Sequence, residues 1–246
     1  MKVLTRWLLA LVLAALALQL FFVGRIALMA VVDPASSSFE RSESWRLVTQ
    51  KEGLRWREQW VPYARISDHL KRAVIASEDA DFINHDGVEW EAIEKAWARN
   101  AKAEEAAARR AAQAARAGKP APAAKIVGGS TITQQLAKNL LLSGERTLLR
   151  KGQEFVLTLA LEAFLSKQRI LEIYLNHVEW GEGVFGAEAA AQHYYRKSAA
   201  QLSPWEAARL AVMLPRPRYF EKLPNSAYLS HRAGVILARM GNVELP

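Results

Sequence analysis

Hydrophobic positions along the chain change their pattern twice. From Trp7 to Val23 the run WLLALVLAALALQLFFV carries no charge, and after Gly24-Arg25 the apolar character resumes through IALMAVV to Val32. A helix needs about 20 apolar residues to cross a bilayer core, so this run predicts a transmembrane helix with Arg25 snorkelling to the outer interface. Past Pro34 apolar residues recur at helical spacing instead. Helices are predicted over Asp68–Ser77, Trp90–Asn100, a run from Gln134 to near Leu142, a longer one from Thr147 to about Gln168, and a late one through HRAGVILARM. Between them, residues 101–124 read AKAEEAAARRAAQAARAGKPAPAA. The first part of that tract favours helix but carries no apolar stripe larger than alanine, so it predicts a solvated, low-complexity insertion.

The flanks of the first run orient it. Lys2 and Arg6 precede it, whereas Asp33-Pro34 and a serine run follow. The positive-inside rule then puts the N-terminus in the cytoplasm and the remainder outside. A cleaved signal peptide fits less well: the run exceeds the usual 7 to 15 residues of such a segment, and no small-x-small site precedes Gln19. Residues 34–66, with Trp45, Trp56, Trp60 and Tyr63 among several arginines, read either as a membrane-proximal linker or as a packed connector. The expected organisation is therefore residues 1–33 as tip and anchor, 34–66 as linker, and 67–246 as one mainly α domain.

Composition narrows the chemistry. The chain has 246 residues, 51% of them hydrophobic, which is enough for one good-sized core. A formal charge of +8 favours an anionic partner: nucleic acid, anionic lipid or a phosphorylated substrate. There is no cysteine, which excludes thiol nucleophiles, thiolate metal sites and disulfides.

The polar clusters come next. AVIASEDADFINHDG, residues 73–87, ends an apolar helix on Glu78 and Asp79, although carboxylates oppose the macrodipole at that end. His85 with Asp81 and Asp86 matches no strong zinc spacing, and packing or capping accounts for it better. In GGSTITQQLAKN, Ser130 or Thr131 can cap the helix that Gln134 and Gln135 open. Arg150, Lys151 and Glu154 fall three and four residues apart on one helical face, as a surface ion-pair ladder would. Gly152 costs that helix up to about 1 kcal/mol relative to alanine and suggests a close approach by backbone or ligand.

Together, AVIASEDADFINHDGV, GGSTITQQLAKN, RKGQEF, LEIYLNHVEWGEGVFGAEAAAQHYY and LSPWEAARLAVMLPRP resemble, in order, the family 51 glycosyltransferases, the peptidoglycan glycan polymerases. The resemblance runs from about Val61 to Arg218, interrupted by the insertion. Lacking Ser-x-x-Lys and Lys-Thr-Gly, the chain is similar to the family's monofunctional members rather than to bifunctional penicillin-binding proteins.

The resemblance implies a lysozyme-like, two-lobed helical fold with one lobe partly sunk in the membrane face. It implies transfer of a lipid-linked glycan onto the 4-hydroxyl of lipid II with inversion, releasing undecaprenyl pyrophosphate. Glu78 matches the family's catalytic base, and its apolar neighbours would raise its pKa. Glu154 matches the second family glutamate, assisting at the pyrophosphate directly or through a divalent ion such as Mg or Mn; no cofactor is required. Lys138 and Arg146 match the phosphate-binding cations, Arg150 and Lys151 add to that field, and Ser130, Gln134 and Gln135 orient sugar or phosphate. Asp79 is expected to hold the Glu78 backbone, and His85 and Gly87 to shape the loop. In the later blocks Asn176 is expected to bond backbone, Glu188 to pair inside its helix, and Tyr194 and Tyr195 to pack.

The chain departs from the family pattern at Val88-Glu89, at the insertion, and in ending at Pro246, which implies no further specificity domain. Implied partners are lipid II, the nascent glycan and membrane lipid, with penicillin-binding proteins and division or elongation proteins as candidates; nucleic acid would lie on the wrong side of the membrane. The implied location is the bacterial inner membrane, with the catalytic domain periplasmic. A lytic lysozyme-like enzyme and an inactive scaffold of wall synthesis are the rival readings, and neither needs Lys138 and Arg146 beside a pyrophosphate.

Overall fold

A computed structural model describes residues 2–50, 55–116, 129–145 and 147–246. Helix α1 (Lys2–Leu28) is followed by α2 (Ser38–Thr49), strand β1 (Arg57–Glu58), α3 (Asp68–Glu78), α4 (Trp90–Arg116), α5 (Ile132–Leu141), α6 (Leu148–Phe164) and α7 (Lys167–His177). Strands β2 (Glu179–Gly181) and β3 (Val184–Phe185) come next, then α8 (Ala187–Tyr195), α9 (Pro204–Met213), α10 (Pro217–Glu221) and α11 (Ala227–Met240). The architecture is mainly α, as the apolar periodicity predicts.

Helix α3 shows how sequence makes the frame. Ser67 caps it, accepting the His69 N–H at 3.2 Å and donating to the Leu202 carbonyl at 3.1 Å. Leu70, Val74 and Ile75 then fall on one face, all but fully buried against α9 and α11. Each such side chain contributes about 1.5–3 kcal/mol by leaving water, and Leu70→Ala would cost about 2–5 kcal/mol. The helix stops where Asp79 adopts φ −163° and ψ 73°. On the other side α5 packs between α6 and α7. Pro215 and Pro217 divide α9 from α10, with Pro217 at the first turn of α10 where its missing N–H costs nothing.

Two helix limits differ from the periodicity. Helix α4 runs past Asn100 to Arg116, so the alanine-rich tract extends it, and residues 117–124 lie outside the described residues. The run from Thr147 ends at Phe164 rather than near Gln168, because Ser166 caps a separate helix, accepting the Arg169 N–H at 3.2 Å. Among the described residues, Gly152 meets nothing within 4 Å of where a Cβ would stand, so no backbone approach explains it.

Helix α1 is the one described helix long and apolar enough to cross a membrane, by length and composition. Its C-terminal end is part of the domain: Ile26 and Met29 are buried, and the side chains of Gln19 on α1 and Gln153 on α6 exchange hydrogen bonds of 2.7 and 3.0 Å. Residues 38–50 and 55–66 also make contacts with the domain. Strand β1 lies parallel to β3, which pairs antiparallel with β2. Asn176 in α7 donates to the Val61 carbonyl at 3.0 Å and accepts the Val61 N–H at 2.9 Å. Buried Glu40, which completes the capping box of α2 with Ser37, meets His177 Nδ1 at 2.7 Å. These polar groups thus find their partners inside the domain. Glu188 accepts the Ala199 N–H at 2.7 Å and an amide N–H of Gln192 at 3.1 Å, so its partners are neutral donors.

Candidate active site

The site begins at the end of α3. Glu78, the last helical residue, holds one carboxylate oxygen toward Ser77 Oγ at 3.2 Å and the other toward the Gln135 amide at 3.0 Å. Burial raises its pKa above the ordinary glutamate value, and the hydrogen bonds from Gln135 and Ser77 oppose that rise. The group therefore sits between two tendencies, desolvated but supplied with donors. That is the condition expected of a carboxylate that has to exchange a proton near neutral pH.

Gln135 is fixed in turn. It lies in the first turn of α5, where Thr131 accepts the Gln134 N–H at 3.1 Å and Gln134 Oε1 accepts the Thr131 N–H at 3.1 Å. Thr131, not Ser130, is the cap. Its hydroxyl also donates to the Gly87 carbonyl at 2.6 Å, where Gly87 holds φ +80° against Thr158 and Glu162 of α6. The far side of the Gln135 amide accepts the hydroxyl of Tyr174 at 3.0 Å. Tyr174 was not among the residues singled out from the sequence; its position in YLNH at helical spacing reads as core.

Asp79 does something other than hold the Glu78 backbone. Its Oδ2 accepts the Ile132 N–H at 2.9 Å and its Oδ1 meets His85 Nε2 at 2.8 Å, while His85 Nδ1 accepts the Gly87 N–H at 3.1 Å. The loop after α3 is thereby tied to the N-terminus of α5. Asp79, His85 and Glu89 offer three donor atoms within 4.8 Å of one another, whereas Asp81 bonds the Asn84 amide at 2.6 Å. Both nitrogens of His85 are already engaged.

Two cavities open beside Glu78 and share Gly129 and Ser130. One, of about 130 Å³, is lined by Glu78, Asp79, Glu89 and Arg99 as well. The other, of about 360 Å³, adds Gln134, Lys151, Ile93 and Trp97. Lys151 also bonds Glu154, which is 3% exposed and takes a second ion pair from Arg150 at 2.8 Å. The surroundings of Glu154 do not suit a divalent ion, because both its oxygens already face cationic side chains. Lys138 is exposed on α5, one turn beyond Gln135. Arg146 lies outside the described residues. Of the residues picked from the sequence, Glu78, Ser130, Gln134 and Lys151 thus line the paired cavities, with Gln135 bonded to Glu78 and with Glu154 and Arg150 paired to or beside Lys151.

Comparison with known proteins bears on this arrangement. Residues 46–241 match the family described as Transglycosylase. The chain is 53% identical over 233 residues to a biosynthetic peptidoglycan transglycosylase of Burkholderia thailandensis, covering 95% of this chain and 84% of that one. It is 51% identical over 235 residues to the protein of that name from Herminiimonas arsenicoxydans, covering 96% and 94%. A third, from Bordetella pertussis, is 50% identical over 245 residues, covering 100% and 95%.

Proposed function

The chain belongs to the Transglycosylase family, and from that premise we propose that it polymerises peptidoglycan glycan strands with Glu78 as the base. It is a peptidoglycan glycosyltransferase with a mainly α, lysozyme-like domain, and its substrates are lipid II and the growing glycan. The observation that carries the assignment of roles is the pairing of cavities. A desolvated carboxylate, Glu78, lines one, and a cation, Lys151, lines the other, with Gly129 and Ser130 common to both.

In the step that follows from this, the 4-hydroxyl of lipid II gives its proton to Glu78 as its oxygen bonds to C1 of the donor sugar. The bond from C1 to the pyrophosphate oxygen breaks, and attack from the opposite face turns an α donor into a β linkage. Negative charge grows on the leaving undecaprenyl pyrophosphate. Cations fixed beforehand stabilise that charge without reorganising, which is the role given to Lys138, Arg146, Arg150 and Lys151. Glu154 holds Arg150 and Lys151 in place, and Ser130 and Gln134 stand where a sugar or phosphate would pass.

Helix α1 fits a single-pass membrane anchor. The charges at its ends support a cytoplasmic N-terminus and an outward-facing catalytic domain in the inner membrane, beside the lipid that carries the substrate. Such a location makes penicillin-binding proteins and division or elongation proteins the candidate partners.

The test is incubation of the detergent-solubilised full chain with labelled lipid II, wild type against Glu78→Gln, with products separated on a gel. A ladder of lipid-linked polymers from the wild type alone is the expected outcome. A ladder of equal strength from Glu78→Gln would remove Glu78 as base, and shortening of preformed glycan would identify a lytic enzyme.

A further inference from the structure

Tyr174 stands at the head of a chain of hydrogen bonds that ends on Glu78. Its ring is buried in α7, 1% exposed, and its hydroxyl donates to Gln135 Oε1 at 3.0 Å, while Gln135 Nε2 donates to Glu78 Oε2 at 3.0 Å. Among the described residues the Tyr174 hydroxyl makes no other hydrogen bond. We propose that Tyr174 is a positioning residue that fixes the Gln135 amide with its N–H toward Glu78, so that the carboxylate meets the acceptor hydroxyl in its ionised form.

The two orientations of the Gln135 amide are not equivalent once it turns over. Its carbonyl would then face Glu78, an arrangement satisfied only by a protonated carboxyl, and its NH₂ would donate to the tyrosine oxygen. The tyrosine proton would be left buried with no acceptor, and an unmet buried donor is costly. The phenol cannot escape by ionising, because burial holds its pKa well above the ordinary value, and the Asp79 charge still adds to the effect when Glu78 is protonated. The turned amide is thus disfavoured, and with it the protonated state of Glu78.

The other groups around the carboxylate leave this effect legible. Its charged surroundings are Asp79 on its own loop and, across the smaller cavity, Glu89 and Arg99. Helices α5 and α7 contribute Gln135 and Tyr174, and α9 the Ala211 carbonyl facing Ser77 Oγ at 3.5 Å. Tyr174→Phe changes none of those charges and keeps the ring in the core.

The inference rests on Glu78 being the base, and the experiment separates the two. The polymerisation rate of the detergent-solubilised full chain on lipid II is measured against pH for wild type and Tyr174→Phe, with thermal midpoints alongside. The expected result is an acid limb displaced to higher pH and a rate roughly tenfold lower on that limb, recovering as pH rises. An acid limb left where it was, whatever the overall rate, overturns the proposal and leaves Tyr174 a packing residue. If Tyr174→Phe does not fold, Gln135→Met carries the same test from the other end of the chain of bonds, with the same displacement expected and an unmoved limb decisive against it. Polymerisation retained by Glu78→Gln would instead remove the base assignment itself.

Discussion

Asp79 and Ile132 are joined across 53 residues of sequence: the carboxylate Oδ2 accepts the Ile132 backbone N–H at 2.9 Å. The other oxygen meets His85, so one buried side chain ties the end of α3, its following loop and the start of α5. Asp79→Ala leaves the Ile132 N–H and a histidine N–H without partners. A loss of about 1–3 kcal/mol for each buried unmet donor is expected. Urea denaturation measures it, and polymerisation should fall with it because Gln135 rides on α5. Asp79→Asn should fall between, since its NH₂ has to face one of the two donors. Wild-type stability in Asp79→Ala would show that the tie carries no weight.

The raised pKa of Glu78 has a consequence for stability as well as rate. A carboxyl that binds its proton more tightly folded than unfolded stabilises the fold below its unfolded pKa, near the ordinary 4.5, and that contribution is lost as pH rises through the raised folded value. Ionised Glu78 is therefore a strain on the fold at neutral pH. Glu78→Gln is expected to abolish the ladder while its thermal midpoint at pH 7 equals or exceeds that of wild type. The midpoint difference should shrink on acidification. A mutant clearly less stable than wild type at pH 7 would contradict the direction of the shift.

How much of this was legible beforehand depended on where each residue's partners lie. Local pattern marked Glu78 as an anomalous acid ending an apolar helix and put Arg150, Lys151 and Glu154 on one helix face, whereas their roles came only from the family resemblance. The long helix predicted from Thr147 shows the limit of periodicity: Leu165-Ser166 carries neither Gly nor Pro, and only the Ser166 cap separates α6 from α7. Asp79 was assigned to its neighbour's backbone, whereas its partner comes from the start of α5. Tyr174 gave no polar signal, since its hydroxyl finds Gln135 only once α5 and α7 have packed. Glu40 was silent in the same way, because nothing local announces that it will meet His177.

Glu154 is buried between Arg150, whose side chain is 15% exposed, and Lys151, which is 52% exposed. That asymmetry predicts different outcomes for the two cations. Arg150→Ala removes the better-buried partner and leaves much of a buried carboxylate uncompensated, for which a cost of about 3–5 kcal/mol is expected. Lys151→Ala removes the half-exposed partner and leaves Glu154 its pair with the better-buried Arg150, so it should cost the fold less, yet it takes the cation out of the larger cavity. Chemical denaturation should thus separate the variants, while initial rates on lipid II show both impaired. A Lys151→Ala protein with an undiminished rate would take Lys151 out of the site.

Helix α1 ends inside the domain, which makes the position of a truncation matter. A chain beginning at Gly24 loses the membrane-facing turns of α1 but keeps Ile26, fully buried, and Met29, 3% exposed. One beginning at Pro34 loses both, together with the Met29 and Val32 carbonyls and the Asp33 carboxylate that Arg169 grips at 2.8, 3.1 and 2.8 Å. Burying two such side chains contributes about 3–6 kcal/mol, so the shorter chain should be less stable by several kcal/mol in detergent. Arg169 would keep only its ion pair with Glu172 at 2.6 Å, and the start of α7, the helix that carries Tyr174 and Asn176, would lose its ties to residues 29–33. The Gly24 chain should therefore still draw a ladder from lipid II at temperatures where the Pro34 chain has unfolded. Equal midpoints for the two would mean that the last turns of α1 serve only the membrane.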